Sequence, residues 1–124
     1  MMPFEPSFDG VYAAILNAAK SCGLECKRAD DIWNHNAIID DITTLISSAN
    51  IVVCDYTNKN ANVFYETGVA HAIGKKYVPI AQHKSDVPFD LQHHRYLHYL
   101  NNAQGLQDLT ANLAPRLQRL LKED

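Results

Sequence analysis

The run Ile51-Val52-Val53-Cys54 is apolar throughout and stops at an acid, Asp55. A strand with no polar side is buried on both faces, and sheets covered on both faces are characteristically parallel. Lys76 to Ala81 is a second run of this kind, and helical patterns lie between and around the two. Strands alternating with helices imply an α/β fold with right-handed crossovers. In such folds ligands gather at the carboxyl ends of the strands, so the residues after Asp55 are where a site is expected.

The periodicity predicts the rest. Phe8, Val11, Tyr12, Ile15, Ala18, Ala19 and Cys22 recur on one helical face, giving a helix over 8–22 that Ser7 or Asp9 caps and Gly23 stops. A short strand follows over 24–28, then a polar loop over 30–36 with Trp33, then a helix over 37–49. The buried strand over 50–55 leads to a helix over 62–74, which Asn60 or Asn62 caps. The strand over 76–81 is followed by irregular chain over 82–95, a short strand over 96–99 and a helix over 106–121. Pro115 requires that last helix either to begin near it or to kink there. The first helix needs a strand before it, and only Met1-Met2-Pro3-Phe4 is available. The first strand is therefore a stub, or the natural chain begins further upstream.

Size and charge narrow the function. The 124 residues, 47% of them hydrophobic, suit one domain over 1–124. No run reaches the roughly 18–20 apolar residues of a membrane span, and no signal peptide is visible, so a cytoplasmic protein is expected. The net charge is 11 − 14 = −3 with the signs interspersed, which argues against binding a nucleic-acid polymer. Cys22, Cys26 and Cys54 read as reduced thiols. Cys22 and Cys26 lack a second ligand pair at zinc-like spacing, so no metal is expected. Gly68, Gly74 and Gly105 are isolated and form no phosphate-binding loop, so no dinucleotide cofactor is expected.

The stretch Asn60-Ala61-Asn62-Val63-Phe64-Tyr65-Glu66-Thr67-Gly68 places one carboxylate, Glu66, in the early turns of the helix after Asp55. Several segments together resemble a known family. They are Met2-Pro3-Phe4, Phe8-Asp9-x-Val11-Tyr12, Arg28-Ala29-Asp30, the span from Asp55 through Thr57, Asn60, Asn62 and Glu66 to Ala72, and Pro88-Phe89-Asp90. The chain resembles the nucleoside 2-deoxyribosyltransferase-like family, which is itself similar to TIR domains. The resemblance runs from Met2 to about Tyr99 and is most specific between Asp55 and Ala72.

That resemblance implies a flavodoxin-like three-layer sandwich with a parallel sheet of about five strands, the first short or truncated. It implies cleavage or transfer at the N-glycosidic bond of a nucleoside, nucleotide or NAD-like molecule, with Glu66 as nucleophile. It also implies a homo-oligomer, since family members complete the site from a neighbouring subunit. Two departures stand out: the acid six residues before the nucleophile is Asn60 here, and Met-Pro-Phe replaces the glycine-rich first loop. The alternative is a non-catalytic nucleotide-sensing or oligomerising module.

A carboxylate suits this chemistry because the departing base leaves positive charge on the sugar, which the acid stabilises or captures. Asp41, just before the buried strand, is a second candidate for catalysis. Asp9, Asp30 and Asp55 are acids expected at the same sheet edge, and Asn60, Asn62 and Arg95 are candidates for binding substrate. Each has a plainer reading: Asp55 as the acceptor of an Asx turn, Asn60 and Asn62 as caps, Asp41 as a solvated helix residue, and Arg95 as part of an exposed loop with His93 and His94. His71 follows Glu66 by five residues, not the spacing of paired metal ligands, and it either packs or faces a partner. Trp33 and Tyr12 are aromatic candidates for stacking on a base, with Tyr12 better placed for the core.

Overall fold

The structure, a computed structural model, describes residues 1–3, 5–28, 39–88 and 95–123, with the side chains of residues 39–41 outside that description. Strands β1 (Ile51–Asp55), β2 (Lys76–Ala81) and β3 (Leu97–His98) form one sheet in the order β1-β2-β3, and both pairings are parallel. Ile51 is in register with Lys76 and Asp55 with Ile80, so β1 and β2 end together. The helices are α1 (Asp9–Ser21), α2 (Ile39–Ser48), α3 (Ala61–Ala72) and α4 (Ala103–Lys122).

The apolar strands divide their side chains between two cores, as period-two alternation requires. Ile51, Val53, Val78 and Ile80 face α1 and α4, where Val11, Ile15, Leu109, Leu113 and Leu117 meet them. Val52, Cys54 and Ala81 face the opposite way, toward Ile42 and Ile46 of α2 and Val63 and Ala70 of α3. The result is a three-layer α/β domain with helices on both faces of a parallel sheet, as the apolar runs predict.

Local chemistry sets the helix ends. The Asn60 side chain caps α3, its Oδ1 accepting the N–H groups of Asn62 at 3.0 Å and Val63 at 3.2 Å. Gly23 and Gly74, after α1 and α3, both sit at φ +73°, the left-handed conformation that ends helices and that glycine adopts without Cβ strain. α4 begins earlier than its periodicity suggests because Asn102 accepts the Gly105 N–H at 2.7 Å and caps it.

Pro115 neither begins α4 nor ends it. The missing N–H frees only the Ala111 carbonyl, and both residues lie on the exposed side, where solvent can satisfy that oxygen. The opposite stripe of Leu109, Leu113 and Leu117 is buried on α1 and holds the helix through the proline.

Among the described residues the sheet has three strands rather than the expected five or so. Residues 24–28 form no ladder, although their exposure alternates as a strand's does: Leu24, Cys26 and Arg28 are half-buried while Glu25 and Lys27 are exposed. They keep a strand-like pattern without being assigned to the sheet. Ahead of α1, residues 1–3 are not assigned as a strand, and Met1 touches the sheet edge. The Met1 ammonium donates to the Val53 carbonyl at 2.8 Å, and the Met1 carbonyl accepts the Asp55 N–H at 2.9 Å. These two bonds flank Cys54 and make a single parallel bridge.

Candidate functional site

Glu66 lies on the inward side of α3, 5% exposed, with Val63 and Ala70 on the same buried face. Glutamate is rarely buried without a partner, because removing a carboxylate from water costs several kcal/mol. Here Oε2 accepts no hydrogen bond among the described residues. Burial pushes the Glu66 carboxyl above the ordinary range, and the Met1 ammonium pulls it part of the way back.

Glu66 lines a cavity of about 360 Å³. Its other walls come from Met1, the β1 edge at Ile51 and Val53, Tyr12 and Ile15 of α1, Ile42 and Ile46 of α2, and residues 24–28. The volume falls within the span of about 300–1,000 Å³ common to small-molecule sites. At the wall formed by residues 24–28, the Arg28 guanidinium stacks 4.6 Å above the Tyr12 ring and reaches Asp9 at 3.7 Å. Arg28 and Lys27 are the cationic side chains among the cavity's lining residues.

Asp55 is fully buried and committed elsewhere. Its Oδ1 accepts the Thr57 N–H at 3.0 Å and the Thr57 hydroxyl at 2.6 Å, and Oδ2 accepts the Tyr99 hydroxyl at 2.5 Å. Burial raises the Asp55 carboxyl, and the Thr57 and Tyr99 donors and the Met1 ammonium oppose that rise. Gln82 extends the network: its N–H reaches the Thr57 hydroxyl at 3.1 Å, and its side-chain amide donates to Tyr99 at 3.1 Å. The carboxylate thus ties together the ends of β1, β2 and β3. It has the Asx-turn role, enlarged by a cross-sheet tyrosine.

The remaining candidates scatter. Asn60 spends its side-chain oxygen on capping α3, and Asn62 is exposed in the first turn. Asp9 is exposed at the start of α1, paired with Arg28. Arg95 is exposed just before β3. The Asp41 side chain, Asp30, Trp33, His93 and His94 lie outside the described residues. His71 packs its ring edge-on against Tyr77, the centroids 4.4 Å apart. Cys54 is a buried core thiol, pushed up to about 11 by burial. Among the described residues no cluster of three or more His, Cys, Asp or Glu side chains forms a metal site, and no helix is long and apolar enough to cross a membrane.

Sequence reasoning passed over two participants. Tyr99 closes the Asp55 network from 44 residues further along the chain, a long-range contact with no local signature. Thr57 was within reach of inference, since an acid followed two residues later by threonine is the pattern of an Asx turn. Compared with protein-family models, curated proteins and solved structures, the chain matches none of them.

Proposed function

We propose that this domain cleaves or transfers at the N-glycosidic bond of a nucleoside, nucleotide or NAD-like molecule, with Glu66 as nucleophile on a flavodoxin-like scaffold. The observation that carries the reading is the buried Glu66 Oε2, without a hydrogen-bond partner among the described residues, beside a cavity of small-molecule size. A carboxylate left in that state destabilises the fold, and groups held against stability concentrate at functional sites.

The chemistry balances on this one residue. Ionised Glu66 attacks the anomeric carbon, and the carbon–nitrogen bond breaks with its electron pair leaving on the base, which takes up a proton. Water, or the base of a second nucleoside, then displaces the sugar from the glutamyl ester and restores the carboxylate. Water as acceptor gives hydrolysis, and a second base gives transfer. The half-buried Arg28, steadied by Tyr12 and Asp9, is placed to meet an anionic substrate group such as a phosphate.

The second reading is a non-catalytic nucleotide-sensing or oligomerising module. It draws on Asp55 and Asn60, whose side-chain oxygens are already occupied by internal donors, so that neither is free to assist Glu66. One experiment separates the two. Purified protein is incubated with deoxynucleosides, ribonucleosides, nucleoside monophosphates and NAD, and free base or nicotinamide is followed by chromatography. Base release from any of them supports catalysis. No release, together with saturable binding of a nucleotide by calorimetry, supports the module.

A further inference from the structure

The three cysteines are all thiols, and their surroundings differ. Cys54 is fully buried on the α2 and α3 side of β1, where burial pushes its thiol up to about 11, so it keeps its proton and reacts slowly. Cys22, at the end of α1, donates its thiol to the Ala114 carbonyl at 3.3 Å and is not part of the cavity wall. Cys26 alone of the three lines the cavity that Glu66 lines.

The alternation of residues 24–28 turns Cys26 inward. Leu24, Cys26 and Arg28 are half-buried, and Leu24 and Cys26 pack against the core that α1 and α4 share with the sheet. Glu25 and Lys27 turn outward and face each other at 3.9 Å, so their charges largely cancel. The Arg28 guanidinium, held over Tyr12, is the cation on Cys26's own side of the segment, while its partner Asp9 is exposed to solvent screening. A cation beside a partly exposed thiol favours the thiolate, which is the form that attacks a disulfide. The exposed residues Glu25, Lys27, Ser48 and Asn50 form a rim through which a small molecule enters. Inside, Glu66 is only 5% exposed, and its Oε2 has no hydrogen-bond partner among the described residues. A buried polar atom in that state marks the cavity as a site for a ligand rather than a packing gap.

We infer that Cys26 is a modification site: its thiol exchanges with a low-molecular-weight disulfide, and the group so attached fills the cavity and shuts Glu66 off from other small molecules. The exchange balances. The Cys26 thiolate attacks one sulfur of the disulfide and a new sulfur–sulfur bond forms. The old bond breaks with its electron pair on the departing thiolate, which takes the proton that Cys26 gave up. The Cys26 sulfur is oxidised, one sulfur of the small disulfide is reduced to a thiol, and excess thiol reverses the step. A cavity of about 360 Å³ is small enough for one such group to occupy much of it. Cys26 closes the cavity whatever reaction Glu66 performs there, so a chain that releases no base still carries this site.

The test labels the whole folded chain with two reagents, and peptide mass spectrometry reads both. Benzyl methanethiosulfonate, a stand-in for a small disulfide, leaves a benzylthio group on a thiol. Dicyclohexylcarbodiimide labels carboxyls in apolar surroundings. Cys26 is expected to take up the thiol reagent at least about tenfold faster than Cys22 or Cys54. The carbodiimide is expected to label Glu66 in untreated protein, and prior modification of Cys26 is expected to cut that labelling at least about tenfold until dithiothreitol restores it. In Cys26→Ser the thiol reagent is expected to leave Glu66 labelling unchanged. Cys26 labelled no faster than Cys22 overturns the inference. So does Glu66 unlabelled in untreated protein, or Glu66 labelling that the Cys26 adduct leaves unchanged or raises.

Discussion

The Tyr99 hydroxyl donates to Asp55 Oδ2 at 2.5 Å, joining residues 44 positions apart inside the core. The contact turns the acid at the end of β1 into a structural clasp rather than a free carboxylate. Tyr99→Phe leaves Oδ2 without its donor, and a buried acceptor so orphaned costs about 1–3 kcal/mol. The expected outcome is a lower Tm with any base-releasing activity retained in the folded fraction. Chemical denaturation and a turnover assay on the same sample check both parts.

Asn60 tests the departure from the transferase pattern. Asn60→Ala removes the acceptor for the Asn62 and Val63 N–H groups, and loss of a cap costs about 0.5–2 kcal/mol. Asn60→Asp keeps the acceptor and puts a negative charge at the positive end of α3, so it is expected to equal or exceed the parent in stability. Urea unfolding of both variants checks the order.

Glu66 links stability and activity to pH in opposite senses. Its folded carboxyl titrates above the ordinary value of 4.5, chiefly through burial. The folded state therefore holds its proton more tightly than the unfolded state does. The stability this contributes is full below the ordinary glutamate value and is lost as pH rises through the folded one. Glu66→Gln removes the charged form and is expected to raise stability near neutral pH by about 1–3 kcal/mol, with the gain vanishing below about pH 4.5. Turnover by a Glu66 nucleophile needs the ionised form, so activity is expected to rise with pH across the window in which the parent loses stability. Paired unfolding and rate profiles from acid to neutral pH check the two slopes.

Arg28 is expected to matter for charged substrates only. Arg28→Met keeps the aliphatic bulk over Tyr12 and removes the guanidinium. Its expected effect is a raised KM for nucleoside monophosphates, with KM for nucleosides nearly unchanged. A comparison of the two substrate classes checks it.

Much of the fold was legible in the sequence because the signals are local. The apolar runs at Ile51–Asp55 and Lys76–Ala81 marked strands buried on both sides, and the helical stripes marked their covers. Asn60 read as a cap because its geometry depends on the next three residues alone. The strand count was not legible. Residues 24–28 have a strand's alternation, but a strand exists only with a neighbour to bond, and that is decided elsewhere in the chain. The helix start was misjudged at Pro115 for a similar reason, since the leucine stripe buried on α1 lets the helix run through it. At the site, Glu66 was legible as an acid oddly placed among apolar residues, whereas the capture of Asp55 by Tyr99 depends on where β3 docks.

The most direct measurement is the rate of base release by the parent and by Glu66→Gln on whichever substrate the parent turns over, with folding of both confirmed by thermal unfolding. Nucleophilic catalysis by Glu66 predicts a loss of at least about a thousandfold in a variant that is as stable as the parent or more so. Release by folded Glu66→Gln within about tenfold of the parent would contradict it.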